Sequence, residues 1–200
     1  MLISFGATGW LIGIVILFVL LPVLWRRKHN PSTLFFFSMF WIYLLAVVQV
    51  IFFPFAINAS TPGVTFTPSV NLIPFYFGRC EISAICVRGA IDNIALTIPL
   101  GFGVNFLLKI RPRNFIWLTA AIGLGFELSQ WVISLAFKSG FRAIDINDGI
   151  LNAAGVLLGY LIFRIFAWAY LALTERLGIM HKGLFADIYN ISRQTRDNGK

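Results

Sequence analysis

Residues Arg142 to Gly159 read RAIDINDGILNAAGVLLG. The stretch opens polar, with Arg142, Asp145, Asn147 and Asp148 within seven residues, and then runs on as an apolar helix. Residues three and four apart are neighbours on a helix, so Asp148, Asn152, Gly155 and Gly159 share one face. Two carboxylates, a guanidinium and an amide therefore stand at the mouth of a membrane helix whose inner stripe is glycine. The other segments read as walls around that site.

The 200 residues are 58% hydrophobic and 12% charged, with a mean hydropathy of +0.84, a balance no soluble domain has. Apolar runs at about 3–25, 33–57, 91–108, 114–137 and 149–172 are each long enough to span a bilayer core of about 30 Å. The expected fold is all-α: a polytopic membrane bundle of five transmembrane helices over 1–173, with 174–200 as a cytoplasmic amphipathic tail. The first run reads as a retained helix rather than a signal peptide, because Arg26, Arg27 and Lys28 follow it and no basic residue precedes it. The net charge of +8 falls in Arg26–Lys28, in Lys109, Arg111 and Arg113, and in the tail from Arg176 to Lys200. Five spans bring all three groups to one side, which the positive-inside rule makes cytoplasmic, with the N-terminus outside and the C-terminus inside. The basicity is thus topology, and nucleic acid is rejected as a partner. In the tail, Ile179, Met180, Leu184, Phe185 and Ile188 among charges read as an interfacial helix.

The walls carry their own signals. Between Asn58 and about Ala90 lies a long outer loop in which Pro68 and Pro74 keep the backbone extended. The apolar strip Ser69–Phe75 either lies at the interface or folds back into the bundle, and Asn71 lines a pocket only in the second case. Cys80 and Cys86 in the same loop are either a disulfide or two free thiols. Arg88, Asp92 and Asn93 open the third span, and Pro99 with Gly101 and Gly103 sets a kink in it. Glu127 is eleven residues before Lys138, roughly 16 Å below the outer surface and near the midplane at a helical rise of about 1.5 Å. A carboxylate there is costly and functional by default. Gln130 projects from the same face, either to the site or to a neighbouring helix. Gly155 and Gly159 form a GxxxG pair that admits another helix, of this chain or a second one, so the oligomeric state stays open.

Asn71, Arg88, Asp92, Asn93, Glu127, Gln130, Arg142, Asp145, Asp148 and Asn152 all fall on or below the outer face and can converge on one extracytoplasmic cavity. Neither His29 nor His181 is on that side, which argues against histidine-dependent phosphatases and hydrolases. As a hydrolytic or transfer site, Glu127, Asp145 and Asp148 would act as acid and base, or hold a divalent cation through oxygen ligands. Arg88 and Arg142 would clamp a phosphate or carboxylate, and Asn71, Asn93, Gln130 and Asn152 would complete the binding surface.

The series Asn71-Leu-Ile-Pro-Phe75, Asn93 to Gly101, Glu127-x-x-Gln130, and Arg142-x-x-Asp145-x-x-Asp148-x-x-x-Asn152 resembles the VanZ family from about 35 to 170. The resemblance implies a bacterial cell-membrane protein associated with low-level resistance to teicoplanin-type glycopeptide antibiotics. Its implied partners are membrane lipids and a lipid-linked cell-wall precursor, teichoic-acid-like polymer or glycopeptide. Asn147, where many relatives carry a further acid, and the cysteine-bearing loop depart from the pattern. Three functions stand: an envelope-modifying enzyme, a non-catalytic binder or modulator of the envelope, and a small transporter with Glu127 as proton relay. The last is the weakest, because the chain shows no inverted repeat.

Overall fold

The structure is a computed structural model, and it describes residues 2–26, 30–56, 70–76, 83–137 and 144–197. Five helices are long and apolar enough to cross a membrane. They are α1 (Gly6–Arg26), α2 (Pro31–Phe52), α3 (Ser83–Gly103), α4 (Pro112–Ala136) and α5 (Ile146–Arg176), followed by a shorter α6 (Leu184–Asp197). A 3-10 turn, Val104–Phe106, ends α3. Two short strand pairs accompany the helices. Strand β1 (Leu2–Ile3) runs antiparallel to β2 (Phe55–Ala56), and β3 (Val70–Asn71) runs parallel to β4 (Ile144–Asp145).

Proline sets several helix boundaries. Pro31 and Pro112 occupy the first turns of α2 and α4, where a missing N–H costs nothing. Helix α2 stops at Phe52 rather than at 57, because Pro54 cannot continue the hydrogen-bond ladder and the chain turns into β2. Helix α3 starts at Ser83 rather than 91, so Arg88 and Asp92 sit inside it and not in its first turn. It continues through Pro99, and the Tyr43 hydroxyl donates to the Leu96 carbonyl (2.6 Å) in the turn that the proline interrupts. Helix α5 has 31 residues and is about 46 Å long, which exceeds the bilayer core.

Helices α1 and α2 form an antiparallel pair joined across their faces by indole donors: Trp10 to the Gln49 side chain and Trp41 to the Gly13 carbonyl, both 2.9 Å. The far face of α1 (Leu11, Ile12, Val15, Phe18, Val19) is exposed, as a lipid-facing surface requires. The tightest packing is between α3 and α5. A Cβ on Gly101 would overlap the Val156 backbone, one on Gly155 the Ile94 carbonyl and Thr97 hydroxyl, and one on Gly159 the Ile98 carbonyl. The GxxxG pair of α5 therefore serves a helix of the same chain. Helix α4 approaches α5 in the same way at Gly123, whose Cβ would meet the Gly149 carbonyl. Below these contacts lies a core of Leu100, Val104, Phe115, Val156 and Tyr160, in which the Phe115 and Tyr160 rings stack at 4.0 Å. The tail does not stay apart from the bundle: α6 packs on α5 and reaches α2 and the 3-10 turn at the end of α3.

Overpacking a fitted interface costs about 1–3 kcal/mol. Gly155→Ala and Gly159→Ala are expected to lower stability by about that much, read as a loss of thermal midpoint in detergent. Gly125→Ala, with nothing within 4 Å of an added Cβ, should not lower it, since alanine is the better helix former.

Candidate functional site

The polar residues gather where α5 begins. Asp145 is the N-cap of α5, and its Oδ1 accepts three hydrogen bonds: from the Asn147 backbone N–H (2.9 Å), Asn147 Nδ2 (2.8 Å) and Asn71 Nδ2 (3.0 Å). Capping by an aspartate satisfies amides that no preceding turn can reach. The partner Asn71 belongs to the apolar strip, which folds back into the bundle: Val70 and Asn71 pair in register with Ile144 and Asp145. Beyond Asn71 the strip turns sharply. Ile73 donates its N–H to Asn71 Oδ1 (3.2 Å), and Phe75 adopts a positive φ of 62°. That left-handed conformation is uncommon for a bulky residue and is held from outside. The Phe75 N–H donates to Asn147 Oδ1 (2.5 Å), while Asn71 Nδ2 and Asn147 Nδ2 both donate to the Tyr76 carbonyl (2.8 Å each).

Asn147 is thus the keystone of the strap, with 2% of its surface exposed. Sequence reasoning placed it in the polar opening of the stretch and noted it as a departure from the family pattern, without giving it a role. Its position two residues past an aspartate N-cap was the signal available.

Glu127 enters from α4. It is 6% exposed, its Oε2 accepts the Asp145 backbone N–H (3.1 Å), and its Cγ lies against Gly149. One turn on, Gln130 donates to the Ile51 carbonyl (3.1 Å), next to the last residue of α2. Glu127 is therefore about 5 Å inside the end of α2. Helix α4 runs past α2: about 14 Å of it lies beyond Glu127, up to Ala136. On α3, about 15 Å of helix between Ser83 and Asn93 likewise rises above the level of the site. The start of α5 lies between these two walls, and the strap Val70–Tyr76 is paired to it with most of its side chains exposed.

Asp148 and Asn152 face α3. Asn93 Nδ2 donates to Asp148 Oδ1 (2.6 Å), and the fully buried Thr97 hydroxyl donates to the Asn152 carbonyl (2.8 Å). Asn152 Oδ1 is buried without a hydrogen-bond partner. The structure therefore brings together Asn71, Asn93, Glu127, Asp145, Asp148 and Asn152, and adds Asn147 and Thr97.

Three expected members stand apart. Arg88 makes a 3.9 Å ion pair with Asp92, both side chains largely exposed, and Gln130 is committed to α2. Arg142 and Cys80 lie outside the described residues, and Cys86 is disulfide-bonded. Among the described residues no three His, Cys, Asp or Glu side chains gather as a metal ion would require. Amides separate the acids instead, so the arrangement offers carboxylate acceptors on a scaffold of carboxamides.

A family model described as VanZ/LLP1 matches residues 40–167, from mid-α2 to mid-α5, which includes every member of the cluster. No curated protein and no solved structure matches the chain.

Removing a buried hydrogen-bond partner costs about 1–3 kcal/mol. Asn147→Asp would keep the acceptor for Phe75, lose both donors and set a second carboxylate beside Asp145. It is expected to lower stability by that order and to release the strap, seen as faster hydrogen exchange at the Phe75 amide.

Proposed function

The chain belongs to the VanZ/LLP1 family of multi-pass membrane proteins associated with glycopeptide resistance, and from that premise we propose that the start of α5 is a recognition site for a cell-envelope molecule. The site would open to the extracytoplasmic side, a reading supported by the distribution of basic residues. The ligand is a teicoplanin-type glycopeptide or a lipid-linked cell-wall precursor.

The observation that carries this reading is Glu127. A carboxylate 6% exposed inside a membrane-spanning helix is expensive, and glutamine would accept the Asp145 N–H at less cost. An ionisable group at such a position marks a functional site by default. Asp145, by contrast, has three donors on one oxygen and acts as a positioning residue. That favours recognition over acid–base chemistry shared by a set of acids. Arg142, three residues before Asp145, is assigned the carboxylate or phosphate of the ligand, a task suited to its planar guanidinium. Modification of the same ligand is the second reading, with Glu127 as the proton-transfer group.

The test is binding of teicoplanin and of a lipid-linked precursor to the protein in nanodiscs, with mass analysis of the recovered ligand. Glu127→Gln and Arg142→Gln are each expected to weaken affinity about tenfold, or about 1.4 kcal/mol, with the helical circular-dichroism signal intact and the ligand mass unchanged. Wild-type affinity in both variants would overturn the site. A changed ligand mass, lost in Glu127→Gln, would replace recognition with catalysis.

A further inference from the structure

At the opposite end of the bundle, α6 closes over a second polar space. A cavity of about 290 Å³ lies between α6, the first turn of α2 and the link from α3 to α4. It is far from the acidic cluster: along α4, the lining residue Pro112 is about 22 Å from Glu127. The α6 wall also falls outside the residues matched to the family.

Among the described residues the cavity is lined by one cation, Lys109, and one anion, Asp187. Among the described residues neither takes part in an ion pair, so two opposite charges share one space without meeting within 4.0 Å. Asn190, Gln194, Ser32 and Thr33 add amides and hydroxyls to the same lining. Two neighbours are already committed: Asn105 donates to the Gly101 carbonyl (2.7 Å) and Thr195 to the Ile191 carbonyl (2.9 Å). Opposite charges in a partly enclosed space attract strongly. A ligand that bridges them must carry both signs on groups set apart from each other. An α-amino acid holds its charges on adjacent carbons, whereas a phosphate and an ammonium joined by a two-carbon link reach further. The phosphate also offers several acceptor oxygens to the amides and hydroxyls, and lysine is a common point-charge partner for it. The cavity sits where spanning helices α2, α3 and α4 begin or end, the level of lipid head groups.

We propose that this cavity binds a zwitterionic phosphate–ammonium group of the phosphoethanolamine type, with the phosphate on Lys109 and the ammonium on Asp187. The same group occurs on a membrane lipid and on a small soluble ester, and the test separates the two sources.

Delipidated full-length protein is offered phosphatidylethanolamine, phosphatidylcholine and phosphatidylglycerol of equal chain length, and retention is read by native mass spectrometry. A hydrogen bond to a charged group is worth enough for about a tenfold preference. Wild type is expected to retain the ethanolamine lipid about tenfold over the other two, since choline lacks N–H donors and glycerol lacks the cation. Asp187→Asn should abolish that preference, Lys109→Gln should weaken all three lipids, and Arg196→Gln, outside the lining, should change nothing. Should Asp187→Asn fail to fold by circular dichroism, Asp187→Glu and Gln194→Ala take its place, with reduced preference expected. Displacement by free glycerophosphoethanolamine would identify the head group alone as sufficient; retention of only the diacyl lipid would identify the membrane as the source. Equal retention of the three lipids by wild type, or an unchanged preference in folded Lys109 and Asp187 variants, would overturn the proposal.

Discussion

One carboxylate oxygen holds the functional end together. Helix α5 starts below the ends of α3 and α4, where water cannot be relied on for its first backbone amides, and such groups must be satisfied internally. Asp145 Oδ1 does this for the Asn147 amide and, with two side-chain donors, fixes the strap from Val70 to Tyr76 against the helix start. The Asp145 amide goes to Glu127. Much of the polarity here answers the problem of starting a helix in a recess, and the proposed recognition surface is built on that answer.

The glycine contacts below set the reach of the side chains above. Asn93, Thr97 and Gly101 recur every four residues on α3, facing Asp148, Asn152, Gly155 and Gly159 on α5. Polar pairs form the upper rungs: Asn93 to Asp148 and Thr97 to the Asn152 carbonyl. Lower down, small residues let the backbones touch. A short carboxamide such as Asn93 spans to Asp148 at 2.6 Å because the helices are drawn together beneath it.

Five spans and the shared face from Asp148 to Gly159 were readable in the sequence because each is a periodic pattern within one helix. The clustering of Asn71, Glu127, Asp145 and Asp148 was readable as a set of polar residues assigned to one side of a membrane. What escaped depended on how separate helices are offset along their axes. Glu127 lies only about a turn inside the end of α2, an offset that distance along α4 does not reveal. Gln130 shares the general face of Glu127, yet the end of α2 captures it. Arg88 follows the same logic, since starting α3 at Ser83 puts it well above the cluster on an exposed surface. Asn147 looked like one loop amide among several, and its bonds to Phe75 and Tyr76 arise from a segment some seventy residues away.

The parallel pairing of β3 with β4 also bears on how the protein is made. Strands running the same way need a long crossover, and here it contains α3 and α4 in full. Residues Val70 to Tyr76 leave the translocation machinery before either of those helices, yet their partners at Ile144, Asp145 and Asn147 emerge after both. The strap must therefore wait, unpaired, while two helices insert, and the proposed recognition surface is the last part of its end of the bundle to close. Assembly of the site thereby reports that α3 and α4 have both crossed the bilayer in the correct sense: if either failed, β4 would emerge on the side away from its partner.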